Sequence, residues 1–307
     1  MPDLTSKSFA DIFNEKENNL SPLAKQSIKK TNFKYRIVQG EEYNQAILKL
    51  LKTLDRQTLK VSGSHRLNDW ESGWKKHLEE LKKSKYDLGI LVAKFAMKGE
   101  YNRLQGNLIK VESNSFEGDF VNIIRLYLFN KYYKNIATLY EFGAGTGVNL
   151  VAAAEIFPKM KLVGLDWANS SMEMLNSLKD KLKINISGKR MDLFNPDEKY
   201  NLDRDSAVLT IGTLEQLGEN FKPFINYLLK NKPKICIHLE TLYEIYNQNN
   251  LLDFLAVKYL EKRKYLIGFL PFLKKLEKEK KIKILEVKRT FGSFYHEGYT
   301  YTVWKPI

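Results

Sequence analysis

The chain holds a single cysteine, Cys236, among 307 residues. That excludes an internal disulfide framework and any zinc site built from cysteines. Histidine is sparse as well. His65, His77, His238 and His296 are scattered without metal-ligand spacing, so no metal centre is expected. Long apolar runs are missing. The longest, Tyr265 to Leu273, is too short for a membrane-spanning helix and contains Gly268 and Pro271, so no membrane span is expected. The opening stretch from Met1 to Leu20 is polar and in places acidic, unlike a secretory signal, which points to the cytoplasm. Arginine is also scarce, at nine of the 50 basic residues.

What is present is a hydrophobic fraction of 43% and a formal net charge of +14. The first is enough for a substantial core and excludes wholesale disorder. The second is carried mostly by lysine and spread along the chain, without the arginine forks that dedicated nucleic-acid surfaces use. The densest run, Lys274 to Lys283, is interleaved with Glu277 and Glu279 and reads as a solvated helix face. A small-molecule substrate is therefore expected in preference to nucleic acid. The length suits one large domain or two modest ones, and a monomer or homodimer is typical of that size.

Apolar spacing divides the chain near residue 118. The first 40 residues show little periodicity and suggest a flexible arm or short helices. Helical stripes follow at Tyr43–Leu54 and from Asn68 or Asp69 to about Leu81. The apolar stretch Tyr86–Phe95 is ambiguous between helix and strand, and the glycine-bearing stretch 96–118 suggests a loop or hairpin. Asp119–Tyr133 reads as a helix. Beyond it, strands expected at 137–142, 161–166, 184–191, 206–211 and 235–239 alternate with helices, and a final strand pair falls at 282–287 and 299–304. This pattern predicts an α/β fold with a doubly wound, mostly parallel seven-stranded sheet. Residues 1–118 would form a mainly helical extension or lid. Residues 119–307 would form the sheet domain, with an insertion at about 241–263.

The most informative residues are Glu141-Phe-Gly143-Ala-Gly145-Thr-Gly147, where a strand ends and turns directly into a helix. Alternating glycines permit a tight turn and close approach of a ligand to the backbone. Free amides at the helix start favour a negative group. A dinucleotide fingerprint would require the third glycine at position 148, which is Val148, and a phosphate-binding loop would require Gly-Lys-Ser/Thr, which is absent. Asp166 closes the next strand. An acid there can accept both hydroxyl protons of a ribose, or it can cap the following helix.

On these residues, with Asp192, Thr213-Leu214-Glu215-Gln216-Leu217 and the strand ending at Trp304, the stretch from Asp119 onward resembles the class I S-adenosylmethionine-dependent methyltransferases. The resemblance implies S-adenosylmethionine as cofactor. It would place Gly143, Gly145 and Gly147 along the methionine portion with Glu141 nearby, Asp166 on the ribose, and Trp167 beside ribose or adenine. Asp192 and Leu193 would border the adenine, and Thr210 would lie near the sulfonium. Many relatives carry His where this chain has Gln216.

In an open parallel sheet, ligands bind beyond the carboxyl ends of the strands. The candidates there for catalysis are Glu215, His238, Glu240 and His296, and those for acceptor contact are Gln216, Tyr243, Arg289 and Tyr295. Tyr101 and Arg103 would belong to a lid. Each has a plainer role open to it: His238 as a core histidine, Glu240 as a helix cap, Tyr295 and His296 as turn residues. Trp70 and Trp74, one helical turn apart, fit a core as well as a substrate platform. The expected activity is methyl transfer to oxygen or nitrogen of a small polar metabolite, a sugar, nucleotide-sugar or amine- or phosphate-bearing compound, with oxygen favoured by the two rim histidines. An RNA methyltransferase and a non-catalytic cofactor-binding subunit remain as alternatives.

Overall fold

A computed structural model describes residues 2–92 and 99–307. Part of the ambiguous Tyr86–Phe95 stretch, and the start of the 96–118 stretch, lie outside the described residues. The central sheet is built from β4 (Thr138–Phe142), β5 (Lys161–Asp166), β6 (Ile186–Arg190), β7 (Ser206–Ile211), β8 (Ile235–Glu240), β9 (Ile282–Lys288) and β11 (Thr300–Pro306), in the order β6-β5-β4-β7-β8-β11-β9. The five strands from β6 across to β8 pair in parallel. β11 runs antiparallel to both β8 and β9. Every residue of β4 and β8 is buried, as expected where helices cover both faces of a parallel sheet. The order reverses between β4 and β7, which opens a crevice at their carboxyl ends.

Side-chain alternation sorts the core into two layers. Leu139, Leu209, Ile237 and Val303 face α5 (Phe116–Tyr132) and α6 (Val148–Ile156). Phe142, Val208, Cys236 and Trp304 face α8 (Lys222–Asn231) and α10 (Phe269–Lys278). α7 (Asn169–Leu182) packs on β5 and β6.

The chain ahead of α5 is mostly helical but not helical throughout. It supplies α1 (Ser6–Phe13), α2 (Pro22–Lys30), α3 (Gly40–Leu54) and α4 (Leu67–Lys83), but also β1 (Tyr35–Ile37), β2 (Tyr101–Leu104) and β3 (Asn107–Val111). These strands join β10 (Phe291–Ser293) in a second sheet of order β1-β3-β2-β10. The β2–β3 turn is made by Gln105 and Gly106, both at positive φ, which suits a tight two-residue hairpin. Residues 2–40 form short helices and a strand rather than an arm. Thr5 and Ser8 form a reciprocal cap, Ser21 caps α2 with Pro22 at its first position, and Phe9, Ile12, Phe13 and Phe33 are buried against α5. Within the insertion after β8 lies α9 (Leu251–Arg263). No helix among the described residues is long and apolar enough to cross a membrane.

Candidate functional site

The crevice at the sheet's switch point opens into a cavity of about 550 Å³. Its floor is the turn between β4 and α6. Gly143, Gly145 and Gly147 all adopt positive φ (71°, 51° and 78°), a region that side chains with a Cβ avoid. Each is also crowded. A Cβ at Gly143 would fall 2.2 Å from Thr213 Oγ1, one at Gly145 2.9 Å from Trp74, and one at Gly147 2.4 Å from Leu175. Gly143 and Gly145 line the cavity, whereas Gly147 packs against α7.

Asp166, at the carboxyl end of β5, also lines the cavity. Its Oδ2 accepts from the Gly145 amide and its Oδ1 from the Ala168 amide, each at 2.9 Å. Burial pushes its carboxyl up to about 6, against the pull of these amides. Glu141 sits beneath the glycine turn, fully buried. It accepts a 2.5 Å hydrogen bond from Asn149, while its second oxygen has no partner. Burial pushes Glu141 up to about 8, although the Arg125 guanidinium pulls the other way. Glu141 does not itself line the cavity, but Asn149, which bonds it, does, and a buried carboxyl with a spare oxygen behind that wall is the kind of group that an ammonium would satisfy.

Trp167, Met191, Leu193 and Phe194 form the apolar wall next to Asp166, with Trp167 and Phe194 stacked at 5.9 Å. A flat purine fits against such a wall. Asp192 is elsewhere: its side chain is exposed and accepts from the Phe194 amide at 2.9 Å, holding the turn. The site thus offers a backbone cradle, a carboxylate for vicinal hydroxyls and an apolar aromatic slot in sequence, which fits S-adenosylmethionine.

The opposite end of the cavity is formed by the turn after β7, the end of α9 and the β10–β11 connection. Glu215, Gln216, Tyr295 and His296 lie here, as do Tyr259, Arg263, Tyr265 and Tyr299. Glu215 is pushed up to about 8 by burial and by the neighbouring Glu240 carboxylate, which outweigh the pull of Arg263 and Arg66. His296 is held down to about 3 by burial and by Arg103 and Arg263, and stacks on Tyr259 at 5.6 Å.

Several expected site residues lie outside this cavity. Alternation along β8 turns Cys236, His238 and Glu240 toward α10. His238 is buried between Phe269 and Trp304, bonded through Nδ1 to Thr210 at 2.9 Å, and held down to about 3 by burial. Thr210 is therefore in the core with it. Glu240 accepts from the Thr213 and Glu215 amides at 3.0 and 3.3 Å, which fixes the turn that carries Glu215. Tyr243 bonds Glu261. Arg289 pairs bidentately with Asp253 and also with Glu297. Tyr101, in β2 of the second sheet, donates to Glu42 of α3. Arg103 is wholly buried, donating to the Phe294 and Leu252 carbonyls.

Sequence reasoning missed Arg66, Glu117, Arg125, Tyr259, Arg263 and Tyr265, all in the cavity wall. Arg125, Tyr259 and Arg263 lie on helices that were legible without the face that meets the cavity, whereas Arg66, Glu117 and Tyr265 fall outside the expected helices. Trp70 and Trp74 do reach it, stacked on each other at 5.7 Å. Glu71 of the same helix accepts from the Asn169 and Ser170 amides, capping α7 from outside. Among the described residues no cluster of three or more metal-ligating side chains occurs.

No family model matches the chain. A ribosomal RNA small subunit methyltransferase G from Alkaliphilus metalliredigens is 25% identical over 148 residues, 46% of this chain and 59% of the relative. The chain thus matches less than two thirds of that relative's length. Among solved structures, the [4+2]-cyclase SpnF superposes with a TM-score of 0.49 at 12% identity, covering 76% of this chain and 77% of its own. Magnesium protoporphyrin IX methyltransferase from Synechocystis PCC 6803, with bound SAM, gives 0.43 at 12% identity, covering 61% and 78%. The sheet reversed at β4 and β7, the three-glycine turn and the acid at the end of β5 are the features on which the chain's similarity to the class I S-adenosylmethionine-dependent methyltransferases rests.

Proposed function

We propose that this protein transfers a methyl group from S-adenosylmethionine to an oxygen or nitrogen of a small polar metabolite. The observation that carries the reading is the closure of the cavity. Trp70 and Trp74 from α4, Tyr259 and Arg263 from α9, and Tyr295 to Tyr299 stand around the sheet's carboxyl edge. Enclosure on this scale favours a small acceptor over a polymer. The cofactor would lie along Gly143, Gly145 and Asp166, with its base against Trp167, Leu193 and Phe194 and its ammonium toward Glu141. When bound, S-adenosylmethionine supplies an electrophilic methyl on a cationic sulfonium.

The chain's own residues align the acceptor and exclude water, which accounts for much of the acceleration of an in-line transfer. Glu215 is the best-placed proton acceptor for a hydroxyl. It faces the cavity, and a carboxyl raised to about 8 is matched to base catalysis near neutral pH. His296 also faces the cavity, but held down at about 3 it is a weak base. Glu240 acts through Glu215 by holding its turn.

A second reading, methylation of RNA, is supported by the ribosomal RNA methyltransferase relative and the +14 charge. Titration calorimetry with S-adenosylmethionine beside NAD tests the cofactor, with micromolar binding of the first alone expected. Transfer of labelled methyl into a small-metabolite extract and into total RNA then separates the substrates. Label in the metabolite fraction is expected, and label confined to RNA would establish the second reading. Binding without transfer to either pool would leave a cofactor-binding subunit.

A further inference from the structure

The acceptor end of the cavity carries a distinctive charge arrangement. Arg263 and Arg66 both line it. Arg263 donates to the Tyr259 hydroxyl at 2.8 Å, its Nε is buried without a partner, and it forms no ion pair among the described residues. Arg66 is tethered at the rim by Gln216 at 3.1 Å and Asp69 at 3.4 Å. Asp69 offsets part of the Arg66 charge, whereas the carboxyls at this end of the cavity leave Arg263 without an ion pair. Glu215 is held up at about 8, and Glu117, which accepts from Tyr299 at 2.8 Å, is also raised by burial. Glu215 is thus largely protonated at pH 7, its minor ionised fraction being the form that can accept a proton, and burial moves Glu117 in the same direction.

Three of the aromatic faces in the wall, those of Trp70, Tyr259 and Tyr265, are already used by the protein's own cations. The Arg66 guanidinium lies 5.1 Å from the Trp70 ring centre, and that of Arg263 lies 4.6 Å from Tyr265 and 5.6 Å from Tyr259. An amine acceptor would meet two guanidinium groups and a cationic sulfonium. An anion would gain from all three, and a buried guanidinium with a free N–H recognises carboxylate and phosphate oxygens.

We propose that the methyl acceptor is anionic, a small molecule whose carboxylate or phosphate group is seated on Arg263 with Arg66 flanking it. This rests on the reading that the glycine-loop end of the same cavity holds S-adenosylmethionine, and it narrows the acceptor to one charge class.

Four probes that share a benzene ring test it: benzoate, phenyl phosphate, benzyl alcohol and benzylamine. Each is titrated into the full-length protein with and without saturating S-adenosylhomocysteine. The two anions should bind at least about tenfold more tightly than the alcohol or the amine. The stronger of the two anions identifies the group. Arg263→Gln should weaken anion binding by about tenfold, and Arg263→Lys should recover only part of it, because an ammonium lacks the planar fork. Arg66→Gln provides an independent variant, with a smaller loss expected, should Arg263→Gln fail to fold. Equal or tighter binding of benzylamine, or anion binding indifferent to both arginines, overturns the proposal. So does Arg263-dependent binding of a short RNA oligonucleotide without binding of either small anion. Titration with S-adenosylhomocysteine alone reads the cofactor assignment separately. If it fails while benzoate binds through Arg263, the anion site stands and the methyltransferase reading falls.

Discussion

The Trp74 ring lies directly over Gly145, so close that a Cβ on the glycine would sit 2.9 Å from Cζ2 of the indole. The glycine turn is thereby shaped by a helix that precedes the entire seven-stranded sheet. α4 is bound in place on the other side by Glu71 at the start of α7 and by the Lys82–Glu173 pair. The extension therefore forms part of the cavity wall beside the glycine turn.

Gly145→Ala should be damaging on two counts. At φ 51° an L-residue costs about 1–2 kcal/mol, and the new methyl must displace Trp74. A lower melting temperature and roughly tenfold weaker S-adenosylmethionine binding are expected. Trp74→Leu should relieve the second cost but not the first, so the double variant should recover part of the lost affinity. Calorimetry on the four proteins of the cycle measures this coupling. Strict additivity would show that Trp74 does not shape the turn.

Asp166→Ala should weaken S-adenosylmethionine binding by at least about tenfold, through loss of a charge-assisted pair of hydrogen bonds to the ribose. The geometry adds a second contribution, because the same carboxylate accepts from the Gly145 and Ala168 amides. Asp166→Asn keeps one acceptor oxygen and should fall between the two. An unchanged affinity in the alanine variant would remove Asp166 from the cofactor seat.

The sheet was legible because its strands are short apolar runs punctuated by glycine and charge, and β5 and β7 begin and end where the pattern places them. The glycine turn and Asp166 were legible because close backbone approach demands particular residues at fixed spacing. The acceptor end was not. Tyr259 and Arg263 occupy successive turns of a helix after β8, and nothing in their spacing tells cavity from solvent. The second sheet was missed for a related reason: β1 and β10 have three residues each, too few to establish a period, and they pair across more than 250 residues through β2 and β3.

His238 illustrates how placement changes an expectation. As a rim base it would govern turnover. Packed between Phe269 and Trp304, it should govern stability. His238→Ala leaves a core void and removes one of the two partners of the Thr210 hydroxyl, which also bonds Glu240, at a cost of roughly 3 kcal/mol. For a chain of this length that lowers the melting temperature by about 5 °C. Turnover per folded molecule should stay within a few-fold of the parent. A collapse of turnover with an unaltered melting temperature would return His238 to the reaction.

The buried carboxyls set the pH dependence of the ligand-free protein. Glu141 and Glu215 stand at about 8 in the folded chain against 4.5 when free. Between those values the unfolded chain has released protons that the folded chain retains. Stability from these two groups is therefore full below pH 4.5 and is lost as the pH rises through 8, by up to about 1.4 kcal/mol per pH unit for each. His238 and His296 act in the opposite direction. Held down at about 3 against 6.5 when free, they add stability as the pH rises toward 6.5 and nothing further above it. Glu240, raised to about 7, and Asp166, raised to about 6, share the lower part of the decline, so the contribution of Glu141 and Glu215 is read from pH 7 to 8, where the melting temperature should fall. Glu215→Gln and Glu141→Gln should each flatten that decline, because a neutral amide has no proton to retain. Melting curves at half-unit steps decide it: a flat or rising profile across this window would mean that both carboxyls are ionised in the folded protein, and Glu215 would then lose its claim to act as a base tuned to neutral pH.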